Sequence, residues 1–352
     1  VYWLSSVHTD VGSTDLQERA LELHRKNLDA ALARLATQPD YHFTAECALQ
    51  VLSYVEHRSP ADADALVKAI REGKIGFHAL FANLLTGLLD HETFARMAWP
   101  AGKFARERGL TYTTAQIGDV PGQTLTFPMV LAASGVRYLA SGVNPERAAP
   151  LLPPRQAQAL GIAGTAPAFP QLYYWEGPDG SRVLHWRAQH YGGASRFGFA
   201  AGPDEMGRAL SDWLLQHPVF QGRDWPYDTV LLYGADERAN TLVPDRVIAN
   251  AAEFQGRYAF PRLVTGRAED FFRDIERRHG PRIPVRRGDT GLYREDGAAS
   301  TAAELAVFRA AQLTARAADI VALWDDRIEA SLDDDALPRR RRRAEERAAM
   351  WR

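Results

Sequence analysis

The chain opens on Val1-Tyr-Trp-Leu-Ser-Ser-Val-His-Thr-Asp10-Val-Gly12, an apolar run that ends in His8-Thr9-Asp10 and passes into a glycine-containing turn. We expect a strand here, followed by a helix from Asp15 to about Ala36. Residues two apart in a strand project from the same side, so His8 and Asp10 can converge on one point. An imidazole and a carboxylate that converge at a strand end provide half of a zinc-type metal site. The alternative is a surface histidine beside a helix-capping aspartate.

Strands and helices alternate along the chain after this opening. Short segments rich in strand-forming residues separate segments whose apolar residues have helical spacing, which favours parallel βαβ units. An antiparallel hairpin is predicted where Tyr173–Glu176 and Arg182–Arg187 flank the turn Gly177–Gly180. The other predicted strands are residues 41–45, 75–80, 110–117, 136–140, 227–233 and 262–265.

The organisation changes near residue 290. Residues from Thr301 to about Ile328 read as one long, alanine-rich helix with no strand after it. We therefore predict an α/β fold, a (β/α)7-type barrel with parallel strands over residues 1–290. Residues 291–352 are predicted to be a helical segment, the incomplete beginning of a helical-bundle domain. The five-arginine run Arg339–Arg343 is interpreted as a solvated helix surface rather than a nucleic-acid patch.

Composition narrows the classes of function. The 352 residues are 46% hydrophobic and 24% charged, with a net charge of −2, so we expect no general attraction to nucleic acid or to an anionic membrane. Cys47 stands alone, which excludes an internal disulfide and a cysteine-based zinc cluster. No apolar run reaches the length of a transmembrane helix. A cytoplasmic location is favoured, with secretion or a periplasmic location left open because the chain begins at Val1 rather than Met. A homo-oligomer is possible.

Three acidic residues occupy equivalent positions in the predicted pattern. Asp10, Asp119 and Asp236 each follow a predicted strand with zero to two residues between. In α/β barrels the carboxyl ends of the strands meet at the mouth, so these side chains should cluster despite their sequence separation. A single aspartate at a strand end is often only a helix cap. Together with His8, the three favour a site.

These residues carry a resemblance to a known family. The chain resembles the N-terminal catalytic barrel of glycoside hydrolase family 38, the α-mannosidase type, as a divergent bacterial relative. The matching motifs are Val7-His-Thr-Asp10, Ile117-Gly-Asp119-Val-Pro-Gly122 and Leu232-Tyr-Gly-Ala-Asp236. Arg287-Gly-Asp289 and the long helix after it correspond to the region where the family's barrel ends and its helical bundle begins. The resemblance covers essentially the whole chain in order, with low identity within the motifs.

The resemblance implies a zinc-dependent retaining glycoside hydrolase, an α-mannosidase-like enzyme that acts on a carbohydrate substrate. One Zn²⁺ ion would be held by His8, Asp10 and Asp119. Asp119 would also be the nucleophile, and Asp236 the general acid/base. A retaining mechanism requires two carboxyl groups roughly 5 Å apart, one attacking and one protonating the leaving oxygen.

Two departures from the family pattern bear on this interpretation. The family's usual Asp-x-Phe-Gly-His-Ser turn is here Asp119-Val-Pro-Gly-Gln-Thr124. The family's fourth zinc ligand is a histidine in the helical region after the barrel, whereas the last histidine of this chain is His279. The sequence therefore offers three metal ligands and does not identify a fourth.

Further residues are candidates for contacting the sugar. Glu46 follows the second predicted strand and is an additional acidic candidate, and Asn83 follows the third and is a candidate hydroxyl binder or turn former. The remaining candidates lie near the hairpin, where core packing is the alternative: His185, His190 and Tyr191. Two other functions stay open. One is a different carbohydrate-active metal enzyme, such as a deacetylase or lyase, and the other is a truncated or non-catalytic carbohydrate-binding fragment.

Overall fold

The computed structural model describes residues 1–12, 14–120, 122–142, 171–188, 191–192, 194, 197–216, 225–234, 241–243, 245–290, 300–332 and 341–346. The chain divides into two compact units. The first comprises Val1–Leu84 and Ala98–Tyr293, and the second comprises Leu85–Met97 and Arg294–Arg352. The division into a catalytic domain over 1–290 and a helical domain over 291–352 stays a prediction.

The first unit has a mixed α/β fold. Its strands are β1 Tyr2–Leu4, β2 Phe43–Thr44, β3 Ile75–Gly76, β4 Thr114–Gly118, β5 Tyr138–Gly142, β6 Leu172–Glu176, β7 Arg182–Ala188, β8 Leu231–Tyr233, β9 Val264–Thr265 and β10 Val285–Arg286. Its α-helices are α1 Gln17–Thr37, α2 Ala48–His57, α3 Pro60–Arg71, α5 Trp99–Arg108, α6 Phe127–Ala133, α7 Pro203–Gln216, α8 Asp245–Arg257 and α9 Ala268–His279. The second unit contains α4 His91–Arg96 and α10 Ala302–Leu332.

The described strands form three hydrogen-bonded sheets, in the orders β8-β1-β9, β10-β6-β7-β5-β4 and β2-β3. Every pairing is parallel except that of β6 with β7, which confirms the predicted hairpin. Single backbone hydrogen bonds join the sheets: Thr44 donates to the Ser5 carbonyl at 2.8 Å, and Ala79 donates to the Thr114 carbonyl at 3.0 Å. The α/β fold with parallel strands is therefore confirmed, and the closed (β/α)7 barrel is not.

Local sequence explains where the elements begin and end. Helix α3 begins with a serine N-cap followed by proline, a common helix start. The Ser59 hydroxyl accepts the Asp62 N–H at 3.2 Å, and Pro60 occupies the first turn. The helical pattern over 92–108, interrupted near Pro100 as the sequence predicts, forms two helices, and Pro100 lies in the first turn of the second, α5. Gly109 ends α5 in a left-handed conformation with φ 62°.

The core lies on both sides of β1. Successive residues of a strand point to opposite faces, and Trp3 and Leu4, both fully buried, enter two different apolar clusters. The cluster around Trp3 receives side chains from α1, α2 and α3, and the cluster around Leu4 contains Trp186 and Phe271. All five residues of β4 and of β5 are buried, as expected for parallel strands covered on both faces.

The second unit is helical in its described part. Asp90 caps α4 by accepting the Thr93 N–H at 2.8 Å, and Arg96 of α4 donates to Asp319 of α10 at 2.8 Å. The long helix predicted from Thr301 to Ile328 is confirmed as α10. It exposes large apolar side chains: Val307, Phe308, Leu313, Ile320, Val321, Leu323, Trp324 and Ile328. None of the described helices combines the length and apolar character that crossing a bilayer demands.

Candidate metal centre at the strand ends

Three of the predicted site residues meet at one point. His8 and Asp10 follow β1, and Asp119 follows β4. One ligand atom from each lies within 4.8 Å of those of the other two. The side chains of His8 and Asp10 are 8% and 33% exposed, and Asp119 is 7% exposed. The structure therefore brings these residues together although more than a hundred positions separate Asp10 from Asp119.

The backbone at Asp119 is fixed in an uncommon conformation. Its φ of 56° lies in the left-handed region, which aspartate tolerates better than most residues with a Cβ. Its N–H donates to the Gly142 carbonyl at 3.0 Å, and the Val120 N–H closes a tight turn on the Gly118 carbonyl at 2.7 Å. Conformations of this kind persist where the surroundings over-determine them, as they do at many functional sites.

Glu46 binds the second ring nitrogen of His8. Its carboxylate oxygens lie 2.9 and 3.0 Å from Nδ1 of His8, and the residue is only 5% exposed. Asn83 donates to Oε1 of Glu46 at 3.2 Å and accepts the Gly118 N–H at 3.1 Å. Both residues were predicted to contact the sugar, and the structure brings both to the cluster, where they bond to protein atoms.

Charge at the cluster favours a cation. Burial by itself would lower the pKa of His8, but the negative charges of Glu46 and Asp10 raise it to about 10. Burial would raise the pKa of Glu46, and the positive charge of His8 outweighs it and lowers that pKa. His24 on α1, 3% exposed, is a further buried histidine near this group, and burial lowers its pKa to about 4. Sequence reasoning missed His24, because a single histidine inside a helical pattern carries no motif that distinguishes a site residue from an ordinary helix residue.

The donor set suits a zinc ion. Nε2 of His8 is buried without a hydrogen-bond partner among the residues the structure describes, and Oδ1 of Asp10 lies 3.4 Å from it. Two ligand atoms each about 2.1 Å from a tetrahedral zinc ion lie roughly 3.4 Å apart. One imidazole and two carboxylates are also ligand types that zinc accepts. These three residues therefore fit the metal, and the described residues supply three ligands of the usual four.

Tyr191 borders the same cluster. Its ring centroid lies 4.5 Å from that of His8, with the two planes inclined at 55°. The backbone of Tyr191 packs on glycine: a Cβ placed on Gly142 would lie 2.6 Å from its Cα, and one placed on Gly234 would lie 3.2 Å from its carbonyl oxygen. Gly142 ends β5 and Gly234 directly follows β8, so the absence of a side chain at both positions leaves room for the Tyr191 backbone.

His185 lies within the sheet and is 2% exposed. Its Nε2 is 2.7 Å from the Ser141 hydroxyl and its Nδ1 is 2.7 Å from the Tyr173 hydroxyl, so both ring nitrogens are engaged by protein groups. Burial lowers its pKa to about 3. This arrangement leaves neither nitrogen available to a sugar hydroxyl. His190 and Asp236, the remaining predicted site residues, lie outside the described residues.

Solved structures share this architecture. An α-mannosidase from Enterococcus faecalis V583 superposes with a TM-score of 0.63 at 15% identity, over 82% of this chain and 30% of that one. A glycosyl hydrolase family 38 protein from Enterococcus faecalis gives 0.54 at 14% identity, over 82% and 28%. A 4-α-glucanotransferase from Thermococcus litoralis gives 0.50 at 11% identity, over 78% and 40%. At these identities the likeness is one of fold.

The chain spans less than a third of the length of the two Enterococcus faecalis proteins. No curated protein sequence matches it significantly. A family model described as "Glycosyl hydrolases family 38 N-terminal domain" matches residues 1–295, most of the chain, and this confirms the resemblance carried by the motifs around Asp10 and Asp119. The chain belongs to glycosyl hydrolase family 38.

Proposed function

We propose that the chain carries the catalytic region of a zinc-dependent retaining glycoside hydrolase that acts on α-mannoside-like substrates, on a (β/α)7-type barrel. The observation that carries the proposal is the convergence of His8, Asp10 and Asp119 within 4.8 Å at strand ends distant in sequence. Membership of the family, whose members are in general zinc-dependent, supports the identity of the metal and the class of reaction.

The proposed roles follow from the chemistry of each group. His8, Asp10 and Asp119 hold the metal, which when bound orients sugar hydroxyls and stabilises negative charge as a Lewis acid. Asp119 attacks the anomeric carbon and forms a covalent glycosyl ester as the glycosidic bond breaks. Asp236 protonates the departing oxygen, then takes a proton from the water that hydrolyses the ester. The buried, backbone-fixed Asp119 side chain suits a nucleophile that has to stay aligned.

Tyr191 is proposed to border the sugar. It is half-buried beside His8, and an aromatic face next to a metal ligand can pack against the apolar face of a sugar ring. Glu46, which is nearly fully buried and bonded to His8 and Asn83, is better suited to supporting the site than to touching substrate.

A fluorinated glycosyl fluoride tests the mechanism directly. The protein is incubated with a fluorinated mannosyl fluoride, digested, and searched by mass spectrometry for a glycosyl adduct. We expect the adduct on the peptide that contains Asp119 and its loss in Asp119→Asn. An adduct on another carboxylate would reassign the nucleophile. Hydrolysis of an aryl α-mannoside without any adduct would contradict the covalent retaining mechanism, and the absence of both hydrolysis and adduct would favour the deacetylase or lyase interpretation. Zinc content compared between the protein, His8→Ala and the exposed-histidine control His57→Ala tests the metal site, and equal content in all three would contradict it.

A further inference from the structure

Four polar groups link the two halves of the candidate metal site through the protein interior. Glu46 bonds Nδ1 of His8 at 2.9 and 3.0 Å. Asn83 donates to Oε1 of Glu46 at 3.2 Å and accepts the Gly118 N–H at 3.1 Å. Gly118 immediately precedes Asp119. The path therefore runs from the histidine after β1 to the aspartate after β4 and is made of protein groups throughout.

Hydrogen-bond chemistry fixes the direction of each bond in this path. An ionised carboxylate accepts only, so Nδ1 of His8 has to be the donor and carries the proton. When a metal replaces the second ring proton, the coordinating lone pair therefore lies on Nε2, the nitrogen 3.4 Å from Oδ1 of Asp10. The Asn83 amide has only one orientation that satisfies both neighbours, since a flip would set its oxygen against the carboxylate and its NH₂ against the Gly118 N–H.

We infer that Glu46 and Asn83 are positioning residues of the metal site: Glu46 fixes the tautomer and ring orientation of His8, and Asn83 ties that carboxylate to the backbone that presents Asp119. This inference rests on the proposed metal function. It assigns Glu46 a role exerted through His8 rather than on the sugar. Metal-ligating histidines usually donate their second ring nitrogen to a carboxylate or carbonyl, which also raises the basicity of the ligand.

The surroundings of Glu46 argue for this role over simple packing. Burying a carboxylate is unfavourable unless its oxygens are hydrogen-bonded, and an apolar residue would fill the same volume at lower cost. The Gln50 side chain accepts the Glu46 N–H at 2.8 Å, which anchors its backbone as well. A Cβ on Gly118 would collide with Oε1 of Glu46, so the absence of a side chain there makes room for the carboxylate.

The test compares Glu46→Gln with a matched control, Glu176→Gln. Glu176 is also a buried glutamate, 3% exposed and paired with Arg182 and Arg287. Glu176 lies at the end of the sheet opposite the metal site. It pairs with Arg182 at the start of β7, whereas Ala188 at the end of β7 pairs with Gly142, which pairs with Gly118 beside the site. Zinc affinity is measured on the metal-free protein by competition with a chromogenic chelator. We expect Glu46→Gln to weaken binding about 10- to 100-fold and Glu176→Gln to leave it unchanged.

A spectroscopic measurement separates positioning from general destabilisation. Long-range ¹H–¹⁵N correlation spectra of the zinc-loaded protein, with His8 assigned by its loss in His8→Ala, should show a proton on Nδ1 and the metal on Nε2. In Glu46→Gln the Nδ1 resonance should shift while the control spectrum stays as in the parent. If Glu46→Gln does not fold, Asn83→Leu replaces it, with a smaller loss of zinc affinity expected because the Glu46 contact to His8 remains.

The outcomes are distinguishable. If zinc content is the same with and without His8, the proposed metal site itself fails. If His8→Ala abolishes binding but Glu46→Gln keeps affinity within about twofold and an unshifted Nδ1, the site stands and the positioning role is overturned. Metal bound on Nδ1 of His8 in the parent protein would also overturn the inference.

Discussion

The carboxylate of Glu46 fills the space that a side chain on Gly118 would need: a Cβ atom on Gly118 would collide with Oε1 of Glu46 and would lie 3.1 Å from Nδ1 of His8. The carboxylate is buried and bonded to both His8 and Asn83, so moving it breaks contacts on two sides. The last residue of β4 therefore has to be glycine if Glu46 is to reach the imidazole.

Gly118→Ala should weaken zinc binding without removing a ligand. The added methyl displaces the Glu46 carboxylate, and His8 loses the acceptor that orients it, so we expect an affinity loss within the 10- to 100-fold range typical of disrupted supporting contacts. Chelator competition on the metal-free protein measures it. The control is Gly256→Ala in α8, where an added Cβ meets nothing within 4 Å and should leave zinc binding unaltered. Equal zinc affinity in both variants would argue against this steric account.

Much of the site could be predicted because it depends on local order. His8, Asp10 and Asp119 were predicted from strand ends and residue type, on the expectation that the carboxyl ends of barrel strands meet at one mouth. In the structure β1 and β4 lie in different hydrogen-bonded sheets, and the three side chains still converge. The hydrogen bond between Glu46 and Nδ1 of His8 could not be predicted this way. Whether Glu46 contacts a sugar or His8 depends on distances between loops that follow different strands. The left-handed φ of Asp119 leaves no trace in residue type, because aspartate occupies many backbone regions.

The fold shows the same division. The strand and helix order, the hairpin of β6 and β7, and the long helix α10 follow from periodicity and turn residues. Barrel closure depends instead on hydrogen bonding between the edge strands of neighbouring sheets, which residue patterns do not show. Among the described strands, β2 and β3 are short and pair only with each other. His185 was predicted to contact the sugar, and it is buried within the sheet. Strand alternation shows which residues share a face of the sheet, but not which face borders a site.

Gly142→Ala should destabilise the fold around Tyr191. The new Cβ would lie 2.6 Å from Cα and 2.9 Å from the backbone nitrogen of Tyr191, and backbone yields less readily than a flexible side chain. Overpacking of this kind costs about 1–3 kcal/mol, which urea unfolding of the metal-free protein measures. Gly207→Ala in α7 is the control, because its Cβ would sit at an ordinary 3.7 Å from its neighbours. Equal unfolding free energies for the two variants would contradict the close approach at Gly142.

Tyr191→Ala should weaken sugar binding more than Tyr191→Phe. If the ring beside His8 packs against the substrate, removing it deletes the apolar contact, whereas phenylalanine keeps the face and loses only the hydroxyl. We expect KM for an aryl α-mannoside to rise severalfold in the alanine variant, with zinc content unchanged in both. A KM for Tyr191→Ala equal to that of the parent protein would exclude a role for the ring in binding.

The stability of the protein should fall in mild acid partly through His185. Its folded pKa of about 3 lies below the ordinary value of 6.5, because burial penalises the charged ring. Between these values the unfolded chain binds a proton that the folded chain does not, so the free energy of unfolding decreases as pH falls through this window. Above pH 6.5 the contribution is complete and constant. From pH 7 to pH 5 the loss attributable to this one group is about 2 kcal/mol.

His185→Gln isolates that contribution, because glutamine does not titrate and can still bond the Ser141 and Tyr173 hydroxyls. Unfolding free energies of the metal-free proteins are measured at pH 7 and pH 5, and only the change between the two pH values is compared. The parent should lose about 2 kcal/mol more than the variant, since the other buried histidines titrate equally in both. Parallel pH dependence of the parent and His185→Gln would mean that the ring is protonated in the folded protein at pH 5.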